Sequence, residues 1–342
     1  SVIGREFGLD ALERVCDIHG DRLLEALEEA LAGRVIAEVP RAAGRYSFTH
    51  ALIWETLYEE LSTTRRVRLH RQIGEVLEGL YAANPEPHLA ELAYHFFEGA
   101  QGGDPEKAIN YGMRAAERAL SLTAYEDAAR FYEIALQGLE LKAKPDGARR
   151  CELLLALGEA QRRTGDRDRS RETFLSAAAI AREIKRPNQL VRAAVGYGGR
   201  VHGFPFDPVE FGLLEEALEN LDSDSPLRAT ALARLSMGLR GTDAQQRSQE
   251  ALDTARRLGE PHALLLAMHA RQVALEARAG PKADPERLLL ADELVQRATD
   301  IGEAEMAFVG HTWRVTNLLE LGGITAADAE IECIARLATE LR

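Results

Sequence analysis

Two segments of this 342-residue chain carry side chains whose type and spacing could do chemistry. The first is Tyr46-Ser47-Phe48-Thr49-His50-Ala51-Leu52, in which His50 follows a strand-like run and stands where a helical pattern begins. The first turn of a helix leaves backbone N–H groups without intrahelical partners and carries the positive end of the dipole. An imidazole there is placed to meet an anion. The same spacing also fits a helix-start residue with no ligand. The second segment is Arg65-Arg66-Val67-Arg68-Leu69-His70-Arg71, the one basic cluster. Arg65, Arg66, Arg68 and Arg71 are the residue types a recognition helix would use in a DNA groove. Val67 and Leu69 do not share a helix face, however, so the arginines spread around the cylinder. A solvated helix that pairs with the acidic solenoid is the favoured reading.

Other reaction chemistry finds no support. The dipeptide Gly-Lys never occurs, which excludes a P-loop, and no G-x-G-x-x-G, H-E-x-x-H or G-x-S-x-G motif is present. Adjacent pairs such as Glu28-Glu29 and Glu215-Glu216 point in different directions on a helix and read as solvated faces. His95, His262, His269 and His311 fall in helical patterns without a second ligand at shared spacing, so they read as packing or surface residues. The three cysteines, Cys16, Cys151 and Cys333, lie far apart with no C-x-x-C, which fits a reducing compartment and neither a disulfide framework nor a metal site. A net charge of −13 makes nonspecific nucleic-acid binding unfavourable. No membrane span and no signal peptide is apparent. The start Ser1-Val2-Ile3-Gly4 reads as a cut from a longer protein.

The elements that must hold these residues follow from periodicity. Leu9, Leu12 and Val15, then Leu23, Leu24, Leu27 and Leu31, recur at helical spacing, with Asp21 as the expected N-cap of the second helix and Gly33 as its end. Val35 to Val39 and Arg45 to Phe48, separated by Pro40 to Gly44, predict a hairpin. Leu52, Ile53, Leu57 and Leu61 mark the next helix, and Val67 to Leu80 one more. Helix, helix, hairpin, helix is a winged-helix-like order, closed near Asn84-Pro85-Glu86-Pro87. From His88 onward only helices appear. Leu157-Gly158, Gly165-Asp166, Ser170, Phe174 and Ala177 match a tetratricopeptide helix hairpin. A triplet of this kind runs Ala128, Tyr132, Ala135; Ser170, Phe174, Ala177; Glu210, Leu214, Ala217; Ser248, Leu252, Ala255; Ala291, Val295, Ala298; and Ala327, Ile331, Ile334, the third and last being degenerate, with first members at intervals of 42, 40, 38, 43 and 36. Those intervals exceed the roughly 34 of a tetratricopeptide repeat, so longer hairpins or turns are expected. The turns at Val201–Pro208 and Ala279–Pro285 stand out for their prolines and, in the first, aromatics.

The run Ser1-Val2-Ile3-Gly4-Arg5-Glu6-Phe7, with Tyr46-x-Phe48-x-His50-Ala51-Leu52, Leu57-Tyr58-Glu59-Glu60-Leu61 and Arg68-Leu69-His70, resembles the winged-helix segment of bacterial STAND signalling ATPases. Gly103-Asp104-Pro105-Glu106-Lys107-Ala108 and Ala124-Tyr125-Glu126-Asp127-Ala128-Ala129 are similar to the first repeats of those proteins. They join a P-loop ATPase core to a tetratricopeptide-like sensor, with an adenylate-cyclase-like or LuxR-type domain at one end. The resemblance implies that His50 approaches the phosphates of ADP and holds the resting state. Trp54 stands where relatives commonly carry Arg, and the P-loop half is not in this chain.

The expected fold is all-α: a right-handed tetratricopeptide-like solenoid over 86–342, preceded by a small winged-helix-like module with a β-hairpin over 1–85. The expected role is regulation and binding rather than catalysis, in the cytoplasm, with no cofactor in this chain and ATP or ADP in a longer parent. The expected partners are a protein or small effector on the concave solenoid surface and an upstream nucleotide-binding domain in cis. A free-standing adaptor and a winged-helix DNA binder are the alternatives.

Overall fold

The computed structural model describes the chain apart from residues 17, 19, 145, 200–206, 280–284 and 341–342. Most of the two unusual turns, 201–206 and 280–284, therefore lies outside the described residues. The rest forms two compact units, Ser1–Thr173 and Phe174–Arg342.

The first unit opens with β1 (Glu6–Gly8), α1 (Leu9–Val15), α2 (Asp21–Ala32), β2 (Ile36–Glu38), β3 (Arg45–Phe48), α3 (Ala51–Glu59) and α4 (Thr63–Leu80). The expected hairpin is present, with β2 antiparallel to β3 and Ile36 opposite Phe48. The other edge of β3 is taken by β1, with Phe7 opposite Tyr46. A three-residue strand is too short to show a period of two, so this one was not foreseen. Phe7, Tyr46, Phe48 and Ile36 turn one face of the sheet onto Leu23 and Leu27 of α2.

The start and end of α2 differ from expectation. Gly20 is the N-cap and Asp21 the first helical residue, so the Asp21 carboxylate acts on the dipole instead of capping. Gly33 keeps a right-handed φ of −74°, and the left-handed turn falls on Arg34 at φ 54°, a conformation uncommon for a residue with a Cβ. Ser62 caps α4, its Oγ accepting the Arg65 N–H at 3.4 Å.

A single 3₁₀ turn at Glu86–His88 leads into α5 (Leu89–Glu98), and α6 (Pro105–Ser121), α7 (Tyr125–Glu140), α8 (Gly147–Thr164) and α9 (Arg167–Glu183) follow. One apolar core crosses the segment around residue 85, because Ile73 and Leu77 of α4 pack with Leu92 and Phe96 of α5 and with Val2 and Ala11. Beyond it the small positions do what the repeat pattern requires. A Cβ on Gly112 of α6 would stand 3.1 Å from the Phe131 carbonyl oxygen and 3.2 Å from the Ala135 nitrogen of α7, so a side chain here would push the two backbones apart by a few tenths of an ångström. Between α8 and α9, Gly165 adopts φ +86°, and Ser170 Oγ donates to the Gly158 carbonyl at 2.9 Å.

The second unit continues through α10 (Pro187–Gly198), α11 (Pro208–Leu218), α12 (Pro226–Gly238), α13 (Gly241–Leu258), α14 (Pro261–Ala279), α15 (Pro285–Asp300), α16 (Ala304–Glu320) and α17 (Ile324–Glu340). Proline at the first helical position suits its fixed φ and its missing N–H. From α12 to α17 each helix packs on the next, and α12 also meets α14 as α14 meets α16. That neighbour and next-neighbour pattern is a stack of helix hairpins, as the repeats predicted. Ala217, Ala255, Ala291 and Ala298 of the triplets are fully buried. The degenerate last triplet departs from this, with Ile331 half exposed. Among the described residues no helix is long and apolar enough to cross a membrane.

Candidate functional site

His50 is the N-cap of α3, in extended conformation with φ −135° and ψ 139°. Its carbonyl accepts the Ile53 N–H at 3.2 Å and the Trp54 N–H at 3.4 Å. Its side chain is exposed and makes no capping bond. The preceding residue fixes the approach, since Thr49 Oγ1 donates to the Arg34 carbonyl at 2.7 Å. No acidic residue occupies the first turn of α3, so nothing on that turn offsets the positive end of the helix dipole.

The helix that follows is unusual in having no buried residue. Leu52 is 72% exposed and Leu57 40%. Its inner side is aromatic: Trp54 stacks on Tyr58 with ring centroids 5.9 Å apart, and Trp54 Nε1 donates to the Ser1 carbonyl at 2.7 Å. α3 thus lies against the module through Ile53, Trp54 and Tyr58 while Ala51, Leu52 and Leu57 face away from it.

The basic cluster is divided by the fold. Arg66 lies over the Tyr58 ring at 5.1 Å and donates to Thr63 Oγ1 at 3.5 Å. Arg71 donates to the Gly102 carbonyl at 2.6 Å and lies 4.0 Å from Glu75. Arg65, Arg68 and Arg71 are exposed at successive three-residue steps of α4, while Arg66 is half-buried and set apart over the Tyr58 ring.

Between α3, α4 and α5 lies a polar chain that no local spacing announced. Tyr58 Oη is 3.0 Å from His70 Nε2, and His70 Nδ1 is 3.0 Å from His95 Nδ1. His95 is in turn hydrogen-bonded to the Ile3 backbone. Between two neutral imidazoles one Nδ1 donates and the other accepts, so the two rings hold opposite tautomers. Both imidazoles are buried, at 0% and 1% exposure, and both are neutral. Burial pushes His70 down to about 3, with His95 and Arg66 adding repulsion. Burial likewise pushes His95 down to about 4. Tyr94 stands edge-on to both rings and is pushed up to about 12 by burial, then by Tyr58 and Glu98. His70 belongs to the basic run in sequence, yet it works inside the core.

Two other expected packing histidines also have partners from other helices. His269 Nδ1 accepts the Trp313 indole N–H at 2.9 Å, and His311 Nδ1 is 2.5 Å from Glu330 Oε2. Nearby, Arg234 of α12 donates twice to Glu210 Oε1 of α11, at 2.8 and 2.5 Å, with both side chains buried. Among the described residues no group of three or more His, Cys, Asp or Glu is arranged to hold a metal ion.

No protein-family model matches the chain, and no curated protein matches it in sequence. Among solved structures it is similar to a Signal Transduction ATPase with Numerous Domains (STAND) protein with a tetratricopeptide repeat sensor from Pyrococcus horikoshii. The TM-score is 0.48 at 11% identity, over 98% of this chain and 54% of the other. The chain thus spans about half the length of that protein.

Proposed function

We propose that this chain is the regulatory, protein-binding region of a STAND-type signalling ATPase. In this reading residues 1–85 are a winged-helix-like module that docks on a nucleotide-binding domain in cis, and residues 86–342 are a solenoid that senses a protein or small effector. The observation that carries the proposal is the outer face of α3. An exposed imidazole stands at the helix N-terminus, beside Leu52 at 72% and Leu57 at 40% exposure. Apolar side chains on a helix with no buried residue suit a surface that a second domain covers. An imidazole beside free backbone N–H groups suits a phosphate at the edge of that contact. Of the residues that resemble the STAND motif, His50, Ala51 and Leu52 are exposed at this face, and Phe48 is buried beneath it in the sheet core.

The mechanism follows as a population shift. The closed form is favoured by contacts at α3 and by His50 on bound ADP, and an effector on the solenoid favours the open form by binding it more tightly. The chain contributes docking and sensing, while hydrolysis belongs to the ATPase core. The test is ADP release from the full-length protein, measured for wild type, His50→Ala and a deletion of 174–342, which removes the second compact unit and leaves the core of the first intact. Faster release from both variants is the expected result. Release unchanged in both, or a gene without a nucleotide-binding domain beside this segment, refutes the proposal and leaves a free-standing adaptor.

A further inference from the structure

Before the last hairpin, the middle residue of each triplet is covered, and where the neighbours are plain it is the next helix that covers it. Tyr132 is buried in one core with Leu153 and Leu157 of α8. Gly196 of α10 lies so close to the Phe174 ring that a Cβ there would enter it. Leu214 and Leu252 are buried, the latter in one core with Leu264 and Met268 of α14. A Cβ on Gly310 of α16 would stand 3.1 Å from the Val295 nitrogen and 3.3 Å from its Cα. At two of these joints, then, a glycine of the following helix meets the large residue and lets the helices approach.

The last triplet, on α17, breaks that rule. Its inner side is seated, because Ala327 and Glu330 are buried and His311 and Arg314 of α16 hold the Glu330 carboxylate. Its middle residue, Ile331, is nevertheless 50% exposed, and Ile324 is 66% exposed. Ile324, Ile331 and the exposed Ala335 fall on one stripe of the helix. Asp328, Glu332 and Arg336, all exposed, run along one edge of that stripe at four-residue steps.

We propose that the stack continues into a second copy of this chain, with α17 against α17 in antiparallel register about a two-fold axis level with Cys333. Ile331 and Ala335 are each two residues from Cys333, so Ile331 of one copy meets Ala335 of the other, and the contact occurs twice. That repeats the large-on-small fit of Phe174 on Gly196 and Val295 on Gly310. A two-fold axis also brings like edges together. Arg336 of each copy then falls between Asp328 and Glu332 of the other, so the face is complementary to itself in charge as well as in shape. The contact needs neither nucleotide nor ATPase core and goes beyond the regulatory reading.

The experiment is sedimentation equilibrium of this chain at about 0.15 M salt, which screens exposed charge beyond about 8 Å and so limits repulsion between copies of net charge −13. A single helix pair is small for a specific interface, so a monomer–dimer equilibrium with a dissociation constant of about 10 μM is expected. Ile331→Glu places a carboxylate at both symmetry-related seats and is expected to weaken the dimer at least about tenfold. Leu122→Glu, also at an exposed leucine but in the first unit, is expected to leave it unchanged. Arg336→Glu is expected to weaken the dimer about tenfold, and adding Glu332→Arg to restore it, since the swap rebuilds the pair across the axis. Both charge changes are at exposed positions, so this rescue tests the register without touching the core. A monomer at every concentration up to about 500 μM, a dimer weakened by Leu122→Glu and not by Ile331→Glu, or no rescue by Glu332→Arg overturns the proposal. Because ADP release is not measured, a failure here is distinct from a failure of the regulatory reading.

Discussion

The buried histidine pair makes the first unit acid-sensitive in a calculable way. Both imidazoles titrate below their ordinary value, near 3 for His70 and near 4 for His95. The folded unit therefore binds fewer protons than the unfolded chain wherever the pH lies between those values and about 6.5. Stability from the pair is complete above pH 6.5 and is lost as the pH falls toward 4. From pH 7 to pH 5 a histidine that stays neutral when folded forfeits about 2 kcal/mol, so the pair forfeits about 4 kcal/mol. The groups facing the rings are Tyr58 on α3, Arg66 on α4, and Tyr94 and Glu98 on α5. Burial raises Glu98 and Glu91, which acts in the opposite sense, so the measurement must be a difference. Urea unfolding is followed by the fluorescence of Trp54 in a Trp313→Phe background, which isolates the first unit because the chain has two tryptophans. The His70→Gln/His95→Gln variant is neutral throughout. Wild type is expected to lose about 4 kcal/mol more than this variant between pH 7 and pH 5. Parallel pH profiles would refute the buried, neutral relay.

Three further outcomes follow from the packing. Gly112→Val drives side-chain atoms into the Phe131 and Ala135 backbone, at 3.1 and 3.2 Å from the added Cβ, and is expected to destabilise the first unit by about 2 kcal/mol in the same urea assay. Arg234→Met removes the guanidinium from Glu210, whose side chain is 4% exposed. It is expected to cost about 3–5 kcal/mol, whereas adding Glu210→Leu restores most of that, as thermal unfolding by calorimetry will show. His50→Ala changes stability by less than about 0.5 kcal/mol, because the side chain is exposed and caps nothing. An ADP-release defect in this variant is therefore not a folding defect.

Features that repeat over a few residues were legible in the chain. The periods of the helices, the Val35 and Arg45 hairpin runs, and the small positions at Gly158, Ser170 and Ala177 are local patterns, and the corresponding elements are present. His50 at the start of α3 was legible for the same reason, since a strand run gives way to a helical one within a single heptapeptide. Tertiary structure decided the rest, where partners are far apart in the chain. β1 exists because β3 offers it an edge about forty residues later. Trp54 is tied to Ser1, His70 to His95, and Arg234 to Glu210. None of these pairs has a spacing that a helix or strand period selects. The basic run shows the difference most plainly: Arg65, Arg66, Arg68, His70 and Arg71 look like one feature in sequence. The 100° step between helical residues sends His70 into the core and Arg66 over Tyr58, and leaves Arg65, Arg68 and Arg71 exposed, Arg71 reaching the Gly102 carbonyl.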